Sequence, residues 1–410
     1  MSWGAIRASE QAEVYRGERR IGRLTRTAHG ALFSYDPGIE PSPAAAVGFC
    51  MPADRRSYEV SGVNLHPFFA GLLPEGLRLS ALIDRVKTSA DDLFSLALAA
   101  GPDPIGDVAL VLPGADPRAS GPTVDLAELP QQSFAELFAR SLDLPGSGPA
   151  TEPSLPGVQD KISAAMLAIP LRGRRRAGAH ILKLAPRDAP SLVDNEAFFM
   201  RLARSCKIPC ADVRLVRDRD GRKGLLVRRF DRLQDPQTGT LTRVHQEDAC
   251  QFLDRYPADK YRLSLAAIAS GIAELAGAPL VELLRLLQLT AFSYLIGNGD
   301  LHARNISLWI EPQTGRVELS PAYDLLSTLP NGDRRLALKL DGRDDNLKRD
   351  HLLRFGERHG LRPAAVGGML DELCHTIGAH LDDLPAIGLP DRKTRDLQRI
   401  MTLRLDDLGA

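Results

Sequence analysis

The sequence predicts an α+β protein in which β-rich and mixed segments precede a larger, mostly α-helical lobe. Residues 1–60 contain apolar runs joined by short polar turns, which is typical of β-hairpins. Residues 160–230 repeat that pattern around one amphipathic helix, and the chain after Asp231 carries helical periodicity. We therefore expect three units: a β-rich N-terminal subdomain with added helices (1–120), a small mixed lobe (121–232) and a helical lobe (233–410).

The composition excludes a general electrostatic attraction to nucleic acid or to anionic membranes. The chain has 52 Lys and Arg residues and 52 Asp and Glu residues, so its net charge is zero. Five cysteines, an odd number without a paired metal-ligand spacing, indicate thiols in a reducing compartment. No signal-peptide pattern is present and no apolar run approaches the length of a membrane span. We expect a cytoplasmic protein with no membrane partner.

The N-terminal subdomain is predicted from two kinds of pattern. Strands are expected at 12–15, 21–24 and 31–35, where apolar residues flank Gly-containing turns. From His66 onward the apolar spacing becomes helical, and a further helix is expected at 91–100 before a Gly-Pro pair. Many Pro, Gly and Ser residues between 114 and 153 then indicate a boundary.

The small lobe is predicted as a sheet with one helix. Apolar strands are expected at 162–167 and 181–184, separated by an arginine-rich turn. An amphipathic helix is expected at 194–205, followed by a hairpin of 213–216 and 224–227.

The helical lobe is interrupted by one hairpin, expected at 306–310 and 317–319. The helices are predicted at 246–254, 263–276, 280–295 and over most of 345–405.

The most informative stretch is 291–309, AFSYLIGNGDLHARNISLW. An apolar helix ends in a Gly-Asn-Gly turn, and Asp300 and Asn305 follow it five residues apart. A phosphotransferase needs an acid that reaches the proton of an acceptor hydroxyl and an amide that turns its oxygen toward Mg²⁺. From that spacing alone, a solvated polar turn would be the favoured alternative.

Asp324 strengthens the phosphotransferase interpretation. It lies just past the predicted hairpin, where it could share a metal with Asn305. Protein kinases use this order of base Asp, amide Asn, hairpin and metal Asp. Mg²⁺ prefers oxygen ligands, so one Asp and one Asn suffice together with the phosphates of ATP.

A kinase also needs a strand lysine for the phosphates and a helix acid that holds it. Lys183 is the lone fixed cation of an apolar strand, and Glu196 lies early in the next helix. The alternative for Lys183 is an edge-strand lysine that discourages aggregation. The alternative for Glu196, an acid that suits the helix dipole, is equally favoured. The loop before this sheet has only one glycine, so an ordinary Pro-Gly turn remains open; His302 is interpreted as a structural histidine that braces its loop.

Together these residues make the chain resemble the HipA family of bacterial serine/threonine kinase toxins, the toxins of type II toxin–antitoxin systems. The resemblance runs nearly from end to end. In the N-terminal region it rests on 72–76 (LLPEG) and 91–106. The kinase motifs that carry it are 157–161 (GVQDK), 180–183 (HILK), 195–196 (NE), 229–232 (RFDR), 297–305 (GNGDLHARN) and 321–327 (PAYDLLS).

The resemblance implies a two-lobed, protein-kinase-like fold and a role for each matched residue. Asp300 would be the general base, and Asn305 and Asp324 would hold Mg²⁺. Lys183 would contact the phosphates of ATP, with Glu196 in support. The other implied ATP-binding residues are Pro156, Gly157, Val158, Gln159, Asp160 and Lys161 in the loop, Arg228, Arg229 and Phe230 in the hinge, and His302, Ala303, Arg304 and Tyr323.

The resemblance also implies regulation and partners. Ser154 falls where family members phosphorylate themselves and switch off, with Thr151 as the alternative acceptor. A HipB-like helix-turn-helix antitoxin would make the main contact with operator DNA. The protein substrate would be translation-linked, such as an aminoacyl-tRNA synthetase. The chain departs from the family at Arg228, where a Glu is frequent, and at Pro156, which stiffens the loop.

Two other functions fit part of the sequence. The Asp300 loop also resembles that of small-molecule phosphotransferases of the aminoglycoside-kinase type, although the β-rich N-terminal subdomain argues against that class. A non-catalytic scaffold for antitoxin and DNA is the other candidate. The presence of Lys183, Asp300, Asn305 and Asp324 together argues against a degenerate site.

Overall fold

The computed structural model describes most of the chain. The described residues are 3–62, 64–118, 126–142, 166–172, 178–186, 188–235 and 237–409. They form three β-sheets, one further strand pair and a large helical lobe, so the predicted α+β fold is confirmed.

The first sheet lies in the N-terminal region and confirms the strands predicted there. Its strands are β1 (Gln11–Arg16), β2 (Arg19–Thr27), β3 (Gly30–Tyr35), β4 (Ser57–Ser61) and β5 (Val108–Val111). All neighbours are antiparallel, in the order β4-β3-β2-β1-β5. The sequence does not predict β5, because four consecutive buried apolar residues carry no alternation that would indicate a strand.

Helices pack with this sheet around one apolar core. They are α1 (Trp3–Arg7), α2 (Pro67–Gly71), α3 (Gly76–Val86) and α4 (Leu93–Ala99). The core contains Phe33, Met51, Phe69 and Leu96, all fully buried. The helix predicted at 91–100 is confirmed as α4, which begins after Asp92, whose carboxylate accepts the amide of Ser95 at 3.2 Å.

The second sheet belongs to the small lobe. Its described strands are β6 (Leu167–Arg172), β7 (Ala179–Leu184), β8 (Val213–Arg217) and β9 (Lys223–Arg228), and helices α5 (Phe134–Leu142) and α6 (Leu192–Ser205) accompany them. The order is β6-β7-β9-β8, all antiparallel. Residues 162–165 of the strand expected at 162–167 lie outside the described residues, and β6 pairs with β7 as far as Arg172, within the stretch expected to be an arginine-rich turn. The arginines indicated a turn, and Pro170 is tolerated in the strand because β6 lies at the edge of the described sheet.

Strand β7 has hydrogen-bonded neighbours on both sides, β6 and β9. The alternative that Lys183 is an edge-strand lysine is therefore wrong. The side chain of Lys183 is 10% exposed, and a buried cation requires compensating charges.

The helical lobe contains short strands as well. They are β10 (Arg232–Gln234), β11 (Leu241–Arg243), β12 (Gln246–Asp248), β13 (Ser307–Ile310) and β14 (Val317–Leu319). The predicted hairpin is confirmed as β13 and β14. The helices are α7 (Ala249–Phe252), α8 (Leu265–Leu275), α9 (Pro279–Ile296), α10 (Arg349–Arg358), α11 (Pro363–Gly378) and α12 (Asp391–Gly409).

The helix predicted at 246–254 is wrong in its first third. Residues 246–248 pair with β13 as strand β12. Asp248 then begins α7 with a capping box, in which its carboxylate accepts the amide of Gln251 and its own amide donates to the Gln251 side chain, each at 3.0 Å. Because the apolar residues of this stretch have helical spacing, the sequence did not indicate that a strand precedes the helix.

Helix α9 is the central helix of the lobe. By length and composition it could span a membrane, which corrects the expectation that no apolar run approaches that length. Of the 18 residues in that window, 67% are buried inside the protein, as in the core helix of a globular lobe. Leu286, Phe292 and Leu295 are fully buried in the largest apolar core.

Candidate active site

The turn after α9 presents Asp300. Gly297 ends the helix in the left-handed conformation (φ +67°), and its amide bonds back to the last turn. The amide of Asp300 then donates to the Asn298 side chain at 2.9 Å, and Asn305 Nδ2 donates to the Asp300 carbonyl at 2.9 Å. Asp300 and Asn305, predicted to act together, are thus one hydrogen bond apart.

The carboxylate of Asp300 has a neighbour that the sequence did not indicate. The Tyr261 hydroxyl donates to Asp300 Oδ1 at 2.7 Å. The Tyr261 ring meets the His302 ring edge-on, with 5.1 Å between their centroids. Burial lowers the pKa of His302, so the imidazole is neutral near pH 7 and suits the bracing role expected of it.

Lys183 joins two carboxylates from different parts of the fold. Its Nζ lies 2.7 Å from Glu196 Oε1 on α6 and also contacts Asp324 Oδ1. Burial alone would lower the pKa of Lys183, but Asp324 and Glu196 outweigh burial and raise it. Burial raises the pKa of Glu196 to about 7 despite the attraction of Lys183. The cluster holds a charged lysine where an anion could be bound.

Asn305 and Asp324 offer oxygen donors of the kind that suits a hard cation. Asn305 uses its Nδ2 on the Asp300 carbonyl, so its carboxamide oxygen lies on the opposite side of that group. Asp324 has a side chain that is 38% exposed and a backbone φ of +57°. Among the described residues no group of three His, Cys, Asp or Glu side chains could hold a metal. A carboxylate and an amide oxygen completed by phosphate oxygens are a set that Mg²⁺ accepts.

The predicted hinge residues lie in three environments. Phe230 packs between Trp309 and Tyr323, with ring centroids 5.7 and 6.1 Å away. Arg228 is exposed at the end of β9. The Arg229 guanidinium is buried and bonds to Asp231 at 2.7 and 2.9 Å.

Residues 300–305, named the catalytic loop for their proposed role, include side chains after His302 that point in different directions. The Arg304 guanidinium bonds to Asp248 at 2.9 Å and to Glu75 at 3.0 Å, toward the N-terminal subdomain. Tyr323 donates from its hydroxyl to the Arg304 carbonyl at 2.9 Å, and Ala303 is buried. In the described structure, neither the Arg229 nor the Arg304 guanidinium contacts the Lys183 cluster.

Eight predicted site residues lie outside the described residues. They are Thr151, Ser154, Pro156, Gly157, Val158, Gln159, Asp160 and Lys161.

Three residues beside the site were not assigned a role from the sequence. Tyr261 and Glu75 contact the catalytic loop, and Asn195 bonds to the backbone of Ser327, just after Asp324. Glu75 and Asn195 fall within the motifs of the family resemblance, which was the available signal. Tyr261 stands in a polar loop with no spacing relation to Asp300, so nothing in the sequence pointed to it.

Comparison with known protein families agrees with these motifs. The family described as HipA-like C-terminal domain matches residues 153–381, and the HipA N-terminal domain matches residues 12–111. The first match alone covers more than half of the chain.

Curated relatives carry the name of kinase. The chain is 30% identical over 343 residues to the putative kinase Y4mE of Sinorhizobium fredii, covering 79% of each chain. It is 30% identical over 374 residues to the serine/threonine-protein kinase toxin HipA of Shewanella oneidensis, covering 81% of this chain and 79% of the relative.

A solved structure has the same fold. The HipA of Shewanella oneidensis, in a complex with HipB and operator DNA, superposes with a TM-score of 0.73 at 23% identity, covering 97% of this chain and 99% of that one. The chain therefore belongs to the HipA family of kinases.

Proposed function

We propose that this chain is an ATP- and Mg²⁺-dependent protein serine/threonine kinase that acts as the toxin of a toxin–antitoxin pair. One observation carries the proposal: Lys183 bridges Glu196 and Asp324, while Asp300 and Asn305 are joined by a hydrogen bond. A cation for phosphates, a base and two oxygen ligands are the parts that phosphoryl transfer needs.

In the proposed reaction, Asp300 accepts the proton of a serine or threonine hydroxyl. The hydroxyl oxygen forms a bond to the γ-phosphorus of ATP, and the bond from that phosphorus to the β-γ bridging oxygen breaks, so ADP leaves. Lys183 contacts the nucleotide phosphates, and Glu196 holds the lysine in place. Mg²⁺, held by Asn305 and Asp324, would neutralise charge on the phosphates.

The nucleotide would lie between the small lobe and the helical lobe. We propose that the loop of Pro156, Gly157, Val158, Gln159, Asp160 and Lys161 covers its phosphates. The Arg228–Phe230 segment would read adenine through its backbone, which does not require the Arg229 side chain that Asp231 holds. Ser154 would be the self-phosphorylation site.

The partners are proposed from the relatives. One relative is named a kinase toxin, and one solved relative is a complex with HipB and operator DNA. We propose a HipB-like antitoxin for this chain, operator DNA bound mainly through that antitoxin, and a translation-linked substrate such as an aminoacyl-tRNA synthetase. The reaction would take place in the cytoplasm.

The deciding experiment is intact-mass spectrometry of the purified protein after incubation with ATP and Mg²⁺. We expect a gain of phosphate in the wild type and in the exposed control Asp396→Asn, and none in Asp300→Asn or Asp324→Asn. Loss of the gain in Ser154→Ala would assign the acceptor. Full transfer by Asp300→Asn would overturn the site, and transfer to amino sugars in its place would support a small-molecule phosphotransferase.

A further inference from the structure

We propose that Tyr261 is a positioning residue for the Asp300 carboxylate and that Glu75 of the N-terminal subdomain holds in place the turn that carries Tyr261. This inference rests on the proposed function, because it assigns Asp300 the role of base. It extends the catalytic machinery beyond the two lobes that bind the nucleotide.

The first step of the argument is the orientation of Asp300. The Tyr261 hydroxyl donates to Oδ1 at 2.7 Å. A carboxylate held in this way cannot rotate about its Cβ–Cγ bond without breaking the hydrogen bond. A base needs a third group that orients it, because small misplacements of a reacting group cost a large part of the rate.

The second step is the position of Tyr261. Tyr261 is 40% exposed, whereas Asp300 is only 5% exposed. The buried carboxylate is therefore bonded to a side chain that is partly open to solvent, and an acceptor protein must approach from solvent. The His302 ring supports the Tyr261 ring edge-on at 5.1 Å and limits the positions that the phenol can take.

The third step is the attachment of the turn to the catalytic loop. The turn follows the short helix Pro257–Asp259, and the amide of Ala303 donates to the carbonyl of Lys260 at 3.0 Å. Tyr261 is the next residue after Lys260. A backbone hydrogen bond thus joins the segment with the phenol to the segment with the base.

Glu75 joins the same two segments through side chains. Its Oε1 lies 2.8 Å from Lys260 Nζ and 3.0 Å from Arg304 Nη1. Burial alone would raise the pKa of Glu75, but Arg304 and then Lys260 outweigh burial and lower it to about 2, so the carboxylate is charged at neutral pH.

Arg304 is itself fastened to the N-terminal subdomain. Its guanidinium donates to the carbonyl of Gly71, four residues before Glu75, at 2.7 Å. Docking of the N-terminal subdomain therefore fixes two segments next to Asp300, the turn that carries Tyr261 and the loop that carries Arg304. The N-terminal subdomain acts as a part of the active site rather than only as a cover.

The test compares single-turnover self-phosphorylation of the full chain at saturating and graded ATP with Mg²⁺. The variants are Tyr261→Phe, Glu75→Gln and the double variant, with Tyr256→Phe as the matched control in the same loop and Asp300→Asn as the inactive reference. We expect Tyr261→Phe to slow transfer about 10- to 100-fold and the half-saturating ATP concentration to change less than about 2-fold.

Glu75→Gln should slow transfer about 10-fold, and the double variant should resemble Tyr261→Phe, since both changes release the same carboxylate. Multiplicative losses in the double variant would overturn the coupling through Glu75. A Tyr261→Phe rate within about 2-fold of the Tyr256→Phe rate would overturn the positioning role. The positioning role would also be overturned if a lower melting temperature or weaker ATP binding accounted for the whole loss of transfer rate in Tyr261→Phe.

The two levels of the proposal fail in different ways. If Asp300→Asn abolishes the transfer seen in the wild type and Tyr261→Phe leaves it unaffected, the kinase proposal stands and the positioning role of Tyr261 is rejected. No transfer by the wild type, either to itself or to a protein added as acceptor, rejects the kinase and the role of Tyr261 together, because Asp300 would then have no acceptor proton to take.

Discussion

Asn195 and Ser327 exchange two hydrogen bonds. Asn195 Nδ2 donates to the Ser327 carbonyl and Asn195 Oδ1 accepts the Ser327 amide, each at 2.9 Å. Asn195 precedes Glu196 on α6, and Ser327 follows Asp324 by three residues. This amide therefore fixes the separation of the two carboxylates that Lys183 bridges.

Replacing Asn195 by Ala should affect both stability and transfer. The Ser327 backbone is fully buried, so its amide and carbonyl would lose their partners at a cost of about 2–3 kcal/mol in the free energy of unfolding. Urea denaturation measures this cost, and the initial rate of self-phosphorylation should fall as Asp324 moves. A variant of wild-type stability and rate would show that the bonds do not set the position of Asp324.

Replacing Lys183 by Met should remove transfer and spare the fold. We expect a rate loss of about 100-fold or more, because one preorganised cation at the phosphates is lost. Burial raises the pKa of Glu196 even beside Lys183, so without the lysine the carboxyl takes up a proton instead of remaining a buried charge. The melting temperature should therefore change little.

The matched control for Lys183 is Lys223→Met. Lys223 also lies in the small-lobe sheet and pairs with an acid of α6, Asp194, at 2.7 Å. Transfer should stay near the wild-type rate in this variant. Equal losses in both lysine variants would indicate that α6 is disturbed in general and would contradict a specific role for Lys183.

Replacing Gly297 by Ala should displace the catalytic loop. Gly297 and Gly315 have nearly the same positive φ, +67° and +69°. An added Cβ at Gly297 would overlap the side chain of Leu329, whereas one at Gly315 would meet nothing within 4 Å.

Both alanine variants carry the cost of the left-handed backbone, but only Gly297→Ala adds a clash. We expect Gly297→Ala to lower the free energy of unfolding by at least about 1 kcal/mol more than Gly315→Ala does. Transfer should fall only in the first variant. Chemical denaturation and the self-phosphorylation rate measure the two effects, and equal losses in the pair would contradict the expected clash.

The pH dependence of stability should reflect His245. Its Nδ1 lies 2.7 Å from Asp107 of the N-terminal subdomain, and its Nε2 lies 2.8 Å from Glu247 of β12. Burial alone would lower the pKa of His245, but Asp107 and then Glu247 outweigh burial and raise it to about 9. A histidine pKa raised in the folded state stabilises that state fully below pH 6.5, and the stabilisation is lost as the pH rises to about 9.

Urea denaturation between pH 6 and 9.5 measures this effect. The stabilisation that is lost amounts to at most about 3 kcal/mol for a shift of this size. Asp107→Asn should weaken the dependence in the same window, because the first of the two carboxylates no longer carries charge. A stability that stays constant or rises from pH 6.5 to 9 would contradict a charged, bridging His245.

Short spacings along the chain made much of the candidate site predictable. Asp300 and Asn305 are five residues apart, and along the chain only one turn and one hairpin separate them from Asp324. The strand that carries Lys183 and the helix that carries Glu196 were also visible in the apolar pattern. Local patterns failed where pairing overrides them, as at 246–248, whose strand conformation is imposed by β13.

The sequence by itself determined the α+β class, the order of the lobes and the residue types that phosphoryl transfer needs. These follow from local periodicity and motif spacing. The tertiary structure alone decided that Tyr261 bonds to Asp300, that Glu75 contacts Arg304 and that Asn195 bonds to Ser327. Those contacts join residues 39, 229 and 132 positions apart. The physical reason is that such contacts depend on how separate elements pack, and no local pattern of side chains encodes that packing.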